Sequence, residues 1–116
     1  MYEYRATVIS VVDGDTVLLS VDLGFLVSYR HSCRLFGINA PEHKTPTGDA
    51  ATAYLTALLP AGTVLTLRTQ KDKFEKYGRI LGTLILADGR VVNDLLVAEH
   101  HAMPWDGKGG RPELVP

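Results

Sequence analysis

Residues Thr7 to Val21, TVISVVDGDTVLLSV, decide the fold: two runs rich in β-branched residues, Thr7 to Val12 and Thr16 to Val21, flank the pair Asp13-Gly14. Such runs favour strands. An Asp-Gly pair between them is a strong hairpin signal, because glycine supplies the positive φ that tight hairpin turns ask for. Toward the C-terminus, Leu23-Gly24-Phe25 marks the next reversal and Tyr29 to Ile38 reads as a third strand, so the first half is a three-stranded meander.

At Ala50 the period changes. Ala51, Tyr54, Leu55 and Leu58 fall at i, i+3, i+4 and i+7, one apolar face of a helix that Thr47 or Asp49 can cap and Pro60-Ala61-Gly62 ends. Two more strand-like runs follow, Thr63 to Thr69 and Ile80 to Leu86, the second closed by Asp88-Gly89. A second helix is predicted over Asn93 to His101. The tail from Pro104 to Pro116 carries three prolines and three glycines, which predicts a loose segment or one ordered only on contact.

Five short strands with a helix between the third and fourth make this a mainly β (α+β) chain. The pattern predicts an OB-fold: a five-stranded barrel with about two helices, whose open face often binds polynucleotides. No repeat, linker or low-complexity block divides the chain. A single domain is expected over residues 1–105, with 106–116 as its tail.

The 116 residues are 46% apolar, enough for a continuous core. Twelve basic and thirteen acidic residues leave a net charge of −1. That excludes a global positive field, so any attraction for a polyanion must be local. Cys33 is the only cysteine; it rules out an internal disulfide and reads as a small buried thiol in a strand. With no signal-peptide pattern at the start and no uncharged run of membrane-spanning length, the expectation is a cytoplasmic, soluble monomer that does not engage a membrane.

Three clusters can carry chemistry: Val12-Asp13-Gly14-Asp15-Thr16-Val17 at the hairpin, Arg34-Leu35-Phe36-Gly37-Ile38-Asn39-Ala40-Pro41-Glu42 after the third strand, and Glu75-Lys76-Tyr77-Gly78-Arg79 before the fifth. Alone, the first is an ordinary turn and each arginine an ordinary surface charge. Together, in this order and at these separations, they resemble the staphylococcal (micrococcal) nuclease, or thermonuclease, family. The resemblance extends to Val92-Asn93-Asp94-Leu95-Leu96-Val97 and covers roughly residues 5 to 105.

The resemblance implies a metal-dependent nuclease that hydrolyses phosphodiester bonds of DNA, RNA or both. On it, Asp15 is a ligand of a divalent cation, calcium in this family, with Asn39 adding its side-chain oxygen and Ala40 its carbonyl. Hard oxygen donors suit such an ion. Asp13, in the same turn, helps order metal-bound water. Glu42 matches the glutamate that activates the attacking water. Arg34 and Arg79 match two arginines that clamp the scissile phosphate, a task for which the planar, always-charged fork of a guanidinium is better shaped than an ammonium.

Lys76 and Tyr77 match residues near a terminal phosphate or sugar; their bland reading is a solvated loop. Trp105 falls near an aromatic on which a base can stack, although an aromatic after a helix is more often a core anchor. His100 and His101, adjacent on a helix, share no face for a metal. His43, beside Glu42, has no role that its position alone assigns.

The chain departs from the family at Asn39, where an aspartate is usual. One negative charge is lost and an oxygen donor kept, which predicts weaker calcium binding or a turn toward Mg2+ or Mn2+. The Glu42 to Gly48 connection is short, which predicts an open cleft. The competing reading is a weakly active or inactive OB-fold module that binds single-stranded nucleic acid or a protein ligand; all of Asp15, Arg34, Glu42 and Arg79 being present argues for the enzyme.

Overall fold

Strands β1 (Tyr2–Asp13), β2 (Thr16–Gly24) and β3 (Val27–Leu35) form the expected meander in a computed structural model, which describes residues 2–42, 44–70, 74, 77–107, 109–112 and 114. Then come β4 (Ile38–Asn39), α1 (Pro46–Leu58), β5 (Val64–Thr69), β6 (Ile80–Ile85), α2 (Val92–Ala98) and β7 (Met103–Pro104). Five strands close a barrel in the order β1-β2-β3-β6-β5, with β5 returning antiparallel to β1, so the OB-fold expectation is met.

The third predicted strand is really two. Gly37, at φ 80°, turns the chain after Leu35, and β4 leaves the barrel to pair with β7. The second hairpin reverses at Phe25 and Leu26, both left-handed (φ 54° and 63°) and both fully exposed. Turns of this kind usually hold Asn or Gly, and left-handed backbone is costly for such side chains.

Helix α1 begins earlier than its apolar pattern. Thr45, not Thr47 or Asp49, is the N-cap: its Oγ1 accepts from the Gly48 N–H at 3.0 Å, and Pro46 occupies the first helical turn, where it has no hydrogen bond to lose. Ala51 and Leu55 are buried and Tyr54 and Leu58 pack beside them, the predicted face. Helix α2 ends at Ala98, short of His101. His100 turns left-handed (φ 60°), and the bonds His101 N to Leu96 O and His100 N to Val97 O close a Schellman end.

Leu19, Leu35, Leu67 and Leu84 fill the barrel beneath Leu55, Leu59 and Leu96 of the helical side. The barrel closes at the parallel β3–β6 seam, only three pairs long: Cys33 with Ile80, Arg34 with Leu81, Leu35 with Gly82. Buried Asn93 of α2 staples this seam. Its Nδ2 donates to the carbonyls of Phe36 (2.9 Å) and Gly82 (3.2 Å), and its Oδ1 accepts from the Leu84 N–H (3.1 Å). Among the described residues no helix is long and apolar enough to cross a membrane.

Candidate active site

The first hairpin turn supplies the acid of the site. The Asp15 N–H donates to Asp13 Oδ1 at 3.1 Å, tightening the turn. Gly14 is not left-handed, contrary to the expectation for this hairpin. It is required for space: a Cβ there would lie 2.8 Å from the Ala51 Cβ and 2.9 Å from the Ala40 Cβ. The turn thus docks on both α1 and the segment after β4.

Register then sets the base against the acid. Thr16 pairs with Arg34 across β2 and β3, and the Leu35 N–H donates to the Asp15 carbonyl at 2.9 Å. Arg34 Nη1 consequently lies 3.4 Å from Asp15 Oδ2, with both side chains nearly buried. The same carboxylate oxygen accepts from the Ala40 N–H at 3.0 Å, and Thr16 Oγ1 donates to Asp15 Oδ1 at 3.2 Å. Arg34 also donates to the Leu35 carbonyl (Nη1, 3.0 Å) and to Asn39 Oδ1 (Nη2, 3.4 Å). Asp15 therefore meets Arg34 and Ala40 of a distant stretch of the chain, and Asn39 joins them through Arg34.

Burial dominates the electrostatics of this knot. It pushes the Asp15 carboxyl up to about 6, helped by the hydrogen bond with Asp13 and opposed by Arg34 and the Ala40 N–H. Burial likewise pulls Arg34 below its usual value; Asp15 resists, while the charges of Arg79 and Arg111 add to the fall. Two carboxylates crowded at one turn are a place where a divalent cation would relieve strain. The donors at hand, carboxylate and amide oxygens, are hard ones that suit it. Asn39 contributes no charge, and among the described residues no cluster of three or more His, Cys, Asp or Glu forms a metal site.

Beside the knot opens a cleft of about 490 Å³, lined among others by Arg34, Phe36, Tyr77, Arg79, Trp105 and Arg111. The Arg79 guanidinium lies 5.6 Å from the centre of the Tyr77 ring. Behind their loop, His31 Nε2–H donates to the Gly78 carbonyl at 2.5 Å, and its ring stacks on Tyr29 (5.2 Å) and meets Phe74 (5.0 Å). Trp105 is not the core anchor favoured by its position. It is half-buried, its backbone N–H donates to the Gly37 carbonyl at 2.8 Å, and its ring faces the cleft with Arg34 at 5.9 Å and Arg111 at 5.7 Å.

Glu42 is exposed and is not among the cleft-lining residues; its backbone is held by Thr45 Oγ1, which donates to the Glu42 carbonyl at 2.7 Å. Lys76 and His43 lie outside the described residues. His101 packs on Tyr54, ring centres 4.7 Å apart, as a structural residue. Arg111, His31 and Asn93 were not marked as site residues by any local pattern.

A family model described as staphylococcal nuclease homologue matches residues 32–107. The chain belongs to this family. Staphylococcal nuclease homologues generally depend on a divalent cation. An "Uncharacterized endonuclease" of Escherichia coli is 37% identical over 112 residues, covering 97% of this chain and 68% of the relative. "Endonuclease YhcR" of Bacillus subtilis (strain 168) is 35% identical over 112 residues, which is 86% of this chain but 9% of that much longer protein. "Protein ParB" of Escherichia coli is 30% identical over 125 residues, covering 97% and 65%. The chain thus corresponds to only a part of each of these relatives.

Proposed function

We propose that the chain is a nuclease that hydrolyses phosphodiester bonds of DNA or RNA. The observation that carries this reading is the buried Arg34, fixed by Asp15, Leu35 and Asn39 and opening on a cleft that also holds Arg79. Burying a guanidinium is costly. A floor arginine held this rigidly beside a second one suits an anion whose charge grows in the transition state. Family membership and the endonuclease names of two relatives support the same conclusion.

In this mechanism Asp15, Asn39 and the Ala40 carbonyl would hold a divalent cation, calcium or, with Asn39, also magnesium or manganese. When bound it polarises a phosphate oxygen and lowers the pKa of water. Glu42 accepts a proton from the attacking water, whose oxygen bonds to phosphorus while the opposite P–O ester bond breaks and its oxygen takes a proton from solvent. Arg34 and Arg79 donate to the equatorial oxygens as negative charge builds there. Because this charge is greatest in the transition state, the arginines lower the barrier more than they tighten substrate binding.

The test incubates the protein with single-stranded DNA, duplex DNA and RNA, with each cation or a chelator, beside Glu42→Gln and Arg79→Ala. Cation-dependent cleavage is expected, with kcat falling by about 10²-fold or more in either variant. Cleavage that both substitutions leave intact refutes the assignment.

A further inference from the structure

We infer that Arg111 and Trp105 form a second phosphate subsite, which takes the phosphate next to the scissile one along the substrate strand. The inference rests on the nuclease reading but concerns Arg111, to which that reading gives no role and which lies beyond the family match over residues 32–107; Trp105 lies inside that match and supplies the surface on which Arg111 sits.

Four observations converge on Arg111. It lines the same cleft as Arg34 and Arg79. Its guanidinium carbon lies over the Trp105 ring, which also carries that of Arg34, so two cations address one fixed aromatic surface. That surface is anchored: the β4–β7 pairs, Ile38 with Pro104 and Asn39 with Met103, and the Trp105 to Gly37 hydrogen bond tie it to the strand bearing Asn39. Finally, no carboxylate among the described residues forms an ion pair with Arg111.

Three guanidiniums lining one cleft repel one another. A chain of net charge −1 has no global field that forces such crowding. A polyanion resolves it. Two non-bridging oxygens of the scissile phosphate suit the forks of Arg34 and Arg79, and the next phosphate of the strand offers two more to Arg111, with the aromatic plane between them offering a surface for a sugar or base. Arg111 is exposed, so it can be changed without opening the core.

Steady-state kinetics would compare wild type, Arg111→Ala and Arg111→Lys on a single-stranded 12-mer and on a dinucleotide with one phosphodiester. For Arg111→Ala the expected result is a KM for the 12-mer raised about ten-fold with kcat unchanged, an unaltered KM for the dinucleotide, and a salt slope smaller by about 1. Arg111→Lys should recover part of the loss. An unchanged KM for the 12-mer, or equal changes on both substrates, overturns the proposal.

A binding arm separates this inference from the nuclease reading. Trp105 is the only tryptophan, so its fluorescence follows 12-mer binding in chelator without cleavage. Should the wild type bind but cut nothing, weaker binding by Arg111→Ala keeps the subsite while the catalytic reading fails. Equal binding by both proteins removes the subsite, whatever is cut.

Discussion

Asp15 is a carboxylate where the fold would do better with a neutral group. An unfolded aspartate ionises near 3.8, and in the folded chain Asp15 ionises near 6 because burial outweighs the attraction of Arg34. Between those values the folded chain binds the extra proton, so stability is full below about pH 4, falls as pH rises through 6 and is flat above it. The ionised form costs roughly 2–3 kcal/mol at neutral pH. Asparagine keeps the acceptor for the Ala40 N–H without that charge. In chelator, Asp15→Asn is therefore expected to resist urea better than wild type at pH 7.5 by about that amount, and no better at pH 4, while cation-dependent cleavage is lost. Equal urea midpoints at pH 7.5 would show that the carboxylate is not under strain.

The elements carry this strain by holding one another closely, and the start of α1 is the clearest case. A Cβ on Gly48 would lie 1.7 Å from the Glu42 carbonyl oxygen and 2.8 Å from Thr45 Oγ1. In a helix, alanine is favoured over glycine by about 1 kcal/mol. Here Gly48→Ala must instead push the Glu42 backbone aside. The expected outcome is a folded protein with kcat reduced about 10-fold or more, because a water-activating carboxylate tolerates little displacement. Wild-type kcat would mean that Glu42 is not positioned through this contact.

Such contacts also mark the limit of what the sequence discloses. The hairpins, the apolar face of α1 and the approximate ends of the barrel strands are local patterns, and they were legible. The Thr45-Pro46 start of α1 was legible as well, but Thr47 and Asp49, nearer the apolar run, drew the assignment. The β4–β7 pair was not, since strands of two residues some sixty positions apart carry no period. Arg111 escaped because a Gly- and Pro-rich stretch reads as loose, and only the tertiary anchoring of Trp105 gives it a place. The candidate site residues came from family resemblance, and their meeting at the first turn required the register of β2 on β3.

At the scale of the whole molecule, the site stands on a barrel closed by a parallel seam of only three pairs. Arg34 and Cys33 are neighbours on that seam, one turned to the cleft and the other wholly inside, where Gly82 leaves room for the sulfur. Burial pushes the Cys33 thiol up to about 12, against which the Gly82 N–H and Arg34 pull only weakly. Since the thiolate is the reactive form, Cys33 can be labelled only when the barrel opens. Opening the seam also breaks the Asn93 staple and strips Arg34 of its partners, so it should coincide with global unfolding. At pH 8 a thiol reagent is expected to react at least roughly 10³-fold more slowly than with the unfolded chain. Urea should raise the rate with the same slope as it lowers global stability. The unfolded thiol ionises near 9 and the folded one near 12, so Cys33 also withdraws stability as pH rises through that interval. Labelling that is fast and insensitive to urea would mean that the β3–β6 seam opens locally, and that Arg34 is held less rigidly than its place in the proposed mechanism requires.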